Sequence, residues 1–365
     1  MKRTPLTSVH EGLGATLLDF AGWSMPLRYG SETFEHESVR NGAGIFDLSH
    51  MGQIEFTGRE VIAALDYAVV SSISAVGVGR AKYTMICDAD GGVVDDLIVY
   101  RLANDHALVV ANAANVKSVF DAFSERAAYF DVHVRDTSDD WALVAIQGPN
   151  AVEVLQPLMT ANLGATRYYG IEASQFGSDS VLLARTGYTG EDGFEVYCRP
   201  EAAVRIWSAI TSTTALQVIA CGLAARDSLR LEAGMPLYGF ELNRSRTPYD
   251  AGLGRVVTVD KPSRFVGQNA LRIRSQEAPR ECLVGLMVEG RRIARSSTTV
   301  LEPGTDREIG QVTSGIFSPT LKASISMAYV EAPYHTPQSE VELRIRGNRA
   351  TAEVVELPFY KRHRA

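Results

Sequence analysis

Carboxylates stand beside glycine turns in two stretches of this chain. Asp95 and Asp96 follow Gly91-Gly92 in G-G-V-V-D-D-L-I-V-Y at 91–100, and Glu195 closes G-Y-T-G-E-D-G-F-E at 187–195. An unpaired carboxylate removed from water shifts its pKa or destabilises the fold, so acids in such β-prone settings point to a polar ligand in a cleft. Neighbouring side chains on a strand point to opposite faces, so only one of the two aspartates serves a given cleft; Asp95 is expected to face it and Asp96 to point away. The same residues also suit a plain hairpin whose aspartates are solvated or cap backbone groups. Three glycines between 187 and 193 let backbone approach closely, and Tyr188 adds a flat ring and a hydroxyl. Glu191, Asp192 and Glu195 would repel a phosphate. A carboxylate at 195 suits a ligand with N–H donors, such as a pterin-like aminopyrimidine.

Arg226 and Arg230 lie one turn apart in G-L-A-A-R-D-S-L-R-L-E-A-G at 222–234, on one face of a predicted helix. A surface network of Arg230 with Asp227 or Glu232 is the plainer reading. His50, in F-D-L-S-H-M at 46–51, is expected to be a hydrogen-bonded structural residue, and no Ser-His-Asp or Cys-His spacing emerges. The histidines and the scattered Cys87, Cys198, Cys221 and Cys282 have no ligand spacing, so no metal is expected. Those cysteines read as small buried thiols of a reducing compartment, which points to the cytoplasm.

These side chains need elements to hold them. Runs at 54–56, 97–100, 107–110, 141–146, 181–184 and 194–197, bounded by Gly, Asp or Asn, predict strands. Helical periodicity covers 60–67, 116–127, 151–158 and 202–210, with Asn150 as N-cap of the third. A further helix runs from about 224 to 232 and stops near Gly234 and Pro236. Strands mixed with helices, without regular βαβ alternation, give an α+β class: a body of antiparallel sheets with helices over 1–275, in two subdomains. The charged, proline-bearing segment near 275–281 reads as a linker. Beyond it the strands at 283–288, 309–313, 325–329, 341–345 and 350–355 predict a C-terminal β-barrel or jelly-roll-like domain over 280–365.

The 365 residues suffice for two or three cores, and 45% hydrophobic with 22% charged residues is ordinary for a globular protein. A net charge of −7 argues against broad nucleic-acid binding, although basic residues gather at Arg291, Arg292 and Arg295. No window approaches a membrane span, and no secretory signal opens the chain.

Together these segments resemble the aminomethyltransferase (T-protein) family of the glycine cleavage system. D-F-A-G-W-S-M-P at 19–26, N-A-A-N at 112–115, Q-G-P-N at 147–150 and T-S-G-I-F-S-P-T-L at 313–321 extend the likeness over nearly the whole chain. The resemblance implies a folate-binding body followed by a barrel. It also implies transfer of the carbon of an aminomethyl group, carried on the lipoyl arm of H-protein, to tetrahydrofolate as co-substrate. By match to the family, Asp95 would lie near the folate nitrogens that receive the carbon, and Glu195, helped by Arg226, would grip the pterin. Asn112, Tyr83, Tyr100, Tyr188, Tyr238 and Met51 would line the pocket.

Arg255 stands where many relatives carry an apolar residue, and Arg80 occupies the expected basic position before A-x-Y. A tetrahydrofolate-dependent demethylase acting on a small methylated substrate is the alternative. A fused amine-oxidising enzyme would need an early G-x-G-x-x-G after a strand, which is missing. An iron–sulfur accessory factor of this fold would carry a K-G-C-Y-type segment where this chain has A-R-D at 225–227.

Overall fold

The computed structural model describes residues 1–213 and 216–362. By compactness the chain falls into two units. One unit comprises 1–86, 95–226 and 261–265; the other comprises 87–94, 227–260 and 266–365. Among the described residues no helix is long and apolar enough to cross a membrane.

The first unit is built on two larger sheets. In the six-stranded sheet the order is Ile171–Phe176, Asp179–Ala184, Gly193–Cys198, Ala142–Gln147, Ala43–Asp47 and Val218–Ala220. All its neighbours run antiparallel except the edge strand Val218–Ala220, which lies parallel to Ala43–Asp47. Alternation supplies one apolar face, Val144, Ile146, Val181, Leu183, Phe194 and Val196, and the helix Pro200–Thr211 seals it with Ala203, Ile206, Trp207 and Ile210.

The five-stranded sheet has the order Arg80–Cys87, Val93–Arg101, His106–Ala111, Gly52–Thr57 and His133–Asp136. Phe56 meets Phe123 of the helix Val116–Ala127 edge to face at 5.0 Å. A Cβ on Gly52 would fall 2.4 Å from Val116, so this close approach requires glycine. The turn at 48–51 carries the chain from Ala43–Asp47 in one sheet to Gly52–Thr57 in the other. It is held by Met51 N–H donating to Leu48 O, Ser49 N–H donating to Asp47, and Leu143 N–H donating to Ser49.

In the second unit six strands close a barrel, in the order Glu281–Val288, Ala323–Glu331, Glu308–Ser318, Thr299–Leu301, Glu340–Ile345 and Asn348–Val355. Thr299–Leu301, absent from the sequence expectation, has only three residues and too short an apolar run to register as a strand. Two buried ion networks fix this unit. Arg230, 1% exposed, reaches Asp227, Glu241, Ser314 Oγ and Met235 O. It therefore belongs to a core network and not to the surface, and the Glu232 carboxylate accepts from Ser318, Thr320 N–H and Thr320 Oγ1. The helix Leu223–Glu232 stops where expected, with Gly234 at φ 65°. Asn150 flanks the helix Ala151–Leu155, but its side chain makes no capping bond, and the last turn tightens to a 3₁₀ turn at Gln156–Leu158. All four cysteines are free thiols; Cys87, Cys198 and Cys221 are buried, whereas Cys282 is half-buried.

Candidate functional site

The parity of the strand Val93–Arg101 separates the two aspartates. The Tyr100 hydroxyl reaches Glu195 of the facing sheet at 3.2 Å, which fixes the side of the strand that looks toward that sheet. With a period of two, Asp96 and Ile98 share Tyr100's side, and Asp95 takes the opposite one. Asp95, expected to face a ligand, is 0% exposed, while Asp96, expected to point away, is half-buried.

Asn112 ties the two acids together. Its backbone N–H donates to Asp95 Oδ2 at 3.0 Å, and its Nδ2 donates to Asp95 Oδ1 and to Asp96 Oδ1, each at 2.8 Å. Asn115 adds a 2.7 Å bond to Asp95 Oδ1, and the Tyr83 hydroxyl donates to Asp96 at 3.0 Å. Pairing of Val93–Arg101 with His106–Ala111 ends at Ile98 opposite Val110, so beyond that row the side chains take over the bonding. Burial and the adjacent Asp96 charge push the Asp95 carboxyl up to about 8, against the pull of its three N–H donors. Burial and Asp96 likewise raise the Tyr83 hydroxyl.

Glu195 sits on Gly193–Cys198, opposite Ala145. Thr186, Tyr100 and Tyr197 place their hydroxyls 2.7, 3.2 and 3.3 Å from Oε2. All three converge on one oxygen; no partner of Oε1 is found among the described residues, and this oxygen is not enclosed. A carboxylate anchored through one oxygen with the other presented is suited to gripping paired N–H donors.

The glycine-rich loop owes its composition to Gln147. The Gln147 amide donates to Thr186 O and accepts from Thr189 Oγ1, and a Cβ on Gly187 would fall 2.0 Å from its oxygen. Glu191 is engaged by Arg40 at 2.9 Å, and Asp192 by Arg185 at 2.5 Å. Those acids brace the loop. Arg226 lies over the Tyr188 ring at 4.7 Å and lines a crevice with Met25, Pro26, Leu48 and Gly222.

Tyr169, which the sequence reading missed, belongs to the same cluster. Burial raises its phenol, with Tyr168 and Glu195 adding to the shift, and it lies near Tyr83. It holds φ at 60°, unusual for a bulky residue, between a Tyr169 N–H bond to Arg185 O and an Ala81 N–H bond to Tyr169 O. No sequence signal marks such a residue. Met51 is half-buried in the turn between the sheets. Tyr238 and the exposed Arg255 are in the second unit. Contrary to expectation, His50 makes no hydrogen bond to a described residue; it packs edge-on against Phe20 at 5.5 Å. Among the described residues no three His, Cys, Asp or Glu gather as a metal site.

Family comparison assigns residues 6–261 to the GCVT N-terminal domain and 282–361 to the glycine cleavage T-protein C-terminal barrel domain. The aminomethyltransferase of Streptomyces coelicolor is 52% identical, with 100% of this chain and 99% of that protein aligned. That of Cutibacterium acnes is 49% identical over 99% of each. The crystal structure of glycine cleavage system aminomethyltransferase T from Bartonella henselae superposes with a TM-score of 0.93 at 34% identity, covering 99% of this chain and 98% of that one. With both domains matched and relatives aligned from end to end, the chain belongs to the glycine cleavage T-protein family of aminomethyltransferases.

Proposed function

We propose that this enzyme transfers the one-carbon unit of an aminomethyl group, held on the lipoyl arm of H-protein, to tetrahydrofolate. The products are methylene-tetrahydrofolate, ammonia and the dihydrolipoyl arm. Tetrahydrofolate supplies the two amine nitrogens that take up the carbon. The observation that carries this reading is the bond from Tyr100, on the side of its strand that also carries Asp96, to Glu195 of the facing sheet, in a chain related throughout to aminomethyltransferases.

The residues fit such a ligand. Glu195 Oε1 would accept from the pterin N–H groups, with Tyr100, Thr186 and Tyr197 holding the carboxylate in place. Tyr83, Tyr169 and Tyr188 offer flat faces, with Arg226 stacked on the last. Asp96 would align the receiving amine and stabilise positive charge as the carbon transfers. Asp95 and Asn112 would set the Asp96 carboxylate and hold a proton within the acid pair near neutral pH. A covalent enzyme intermediate is unnecessary, which agrees with the lack of an activated nucleophile in the sequence. Four free thiols are compatible with a reducing cytoplasm.

The decisive assay follows ammonia release from aminomethyl-loaded H-protein with and without tetrahydrofolate. Strong stimulation by tetrahydrofolate is expected; release that ignores it defeats the proposal. Calorimetry with tetrahydrofolate should give the same affinity before and after chelator treatment, and loss of binding on chelation would show a metal requirement.

A further inference from the structure

His50 is a buried imidazole that the proposed chemistry leaves unused. It is 2% exposed, in the turn between the two sheets and directly before Met51. Nδ1 is enclosed without a hydrogen-bond partner among the described residues. Nε2 also lacks a partner among the described residues but is not enclosed, so it is the ring nitrogen that keeps an open side. Burial and the Arg226 charge hold the imidazole down to about 4, against the opposing pull of Asp47. The ring is thus neutral near pH 7 and carries one N–H. A hydrogen on the enclosed Nδ1 would bury a donor with no acceptor, an arrangement rarer in proteins than an unfilled acceptor. The hydrogen therefore belongs on Nε2.

His50 stands near the groups assigned above to the folate. Arg226, close enough to suppress its charge, stacks on Tyr188; Tyr188 lies near Tyr83, and Tyr83 donates to Asp96. Continuing the register of Gly52 opposite Ala111 by one residue sets Met51 beside Asn112. On this side of the first unit Asp96 and Glu195 offer acceptors for ligand N–H groups, and the carbonyl oxygens of a folate still need donors. A neutral donor meets that need without opposing the positive charge that develops during carbon transfer, as an imidazolium would.

We infer that His50 is a further ligand-positioning residue, donating Nε2–H to a carbonyl oxygen of the bound folate. This rests on the folate reading given above. Calorimetry with tetrahydrofolate compares wild type, His50→Phe, which keeps a flat ring without the donor, and His50→Gln, whose amide nitrogen restores a donor near the Nε2 position. A loss of tenfold or more in His50→Phe is expected, with recovery to within threefold in His50→Gln. Unchanged affinity in His50→Phe, or an equal loss in both variants, overturns the inference. A second readout is free of folding effects in the Phe variant. In ¹⁵N-histidine-labelled wild-type protein, the signal that vanishes in His50→Gln should show the Nε2–H tautomer and shift when tetrahydrofolate is added. The Nδ1–H tautomer, or no shift on saturation, also overturns it. Wild-type protein that fails to bind tetrahydrofolate sinks the folate reading itself, whereas binding that ignores His50 sinks this inference alone.

Discussion

Asp95 and Asp96 differ in burial far more than in sequence position, and that difference separates their expected phenotypes. Asp96→Asn keeps the shape but removes the half-exposed charge, so turnover should fall by about 10²–10⁴ with loaded carrier and saturating folate. Asp95→Asn should cost less turnover, acting through Asn112; the reverse ranking would return the chemical role to Asp95. Stability gives an independent check. The Asp95 carboxyl titrates near 8 when folded, against an ordinary 3.8, so between those values the unfolded chain releases a proton that the folded one retains. Its contribution to stability is intact at low pH and is lost as pH climbs toward 8, by at most about 1.4 kcal/mol per pH unit. Denaturant titrations across pH 4–9 should therefore show Asp95→Asn gaining on wild type until about pH 8 and levelling beyond. Parallel pH profiles would refute the raised value. At Glu195 the expected loss is in binding: Glu195→Gln removes a charge-assisted grip worth about 1.5–3 kcal/mol, roughly 10–150-fold in folate affinity. A collapse of melting temperature with unchanged affinity would make Glu195 structural.

At the scale of elements, what the sequence made legible and what it did not have separate causes. The helix Val116–Ala127 coincides with its predicted span because a clear 3.6-residue stripe buries Val119 and Phe123. The strands carrying Asp96 and Glu195 were legible from β-branched and aromatic runs ended by glycine. Which face each residue takes was not, since parity depends on a partner sheet that local sequence does not contain; one hydroxyl contact, Tyr100 to Glu195, sets Asp96 and not Asp95 on the side of Tyr100. Tyr169 was invisible because its backbone conformation is imposed by Arg185 and Ala81, remote in sequence. The loop at 187–193 shows the same dependence. Gly187→Ala sets a methyl group against the Gln147 amide, and overpacking of this kind costs about 1–3 kcal/mol. Adding Gln147→Ala should recover part of that cost. No such rescue is expected for Gly193→Ala, whose Cβ also falls 2.5 Å from the backbone oxygen of Ile146. Chemical denaturation of the two double variants distinguishes these outcomes, and equal rescue in both would show that Gln147 is not the obstacle at 187.

For the whole molecule the governing quantity is charge. At −7 net, this enzyme would repel an acidic carrier at long range, and productive approach would then depend on local basic groups. Arg291 and Arg292 are exposed in the second unit, with Arg291 lying 5.2 Å over the Phe317 ring. Arg80, whose guanidinium donates to Tyr168 O, and Lys82 are half-buried in the first unit, on the strand that carries Tyr83. Screening at physiological salt confines such attraction to about 8 Å, so residues flanking the landing site should dominate the encounter rate. Stopped-flow association of an acidic H-protein should slow as ionic strength rises, and Arg291→Glu with Arg292→Glu should both slow it further and flatten its salt dependence. The change belongs mainly in the on-rate, because rim charges steer encounters more than they hold a formed complex. An association rate indifferent to salt, or charge reversals that alter only the off-rate, would exclude steering by these arginines.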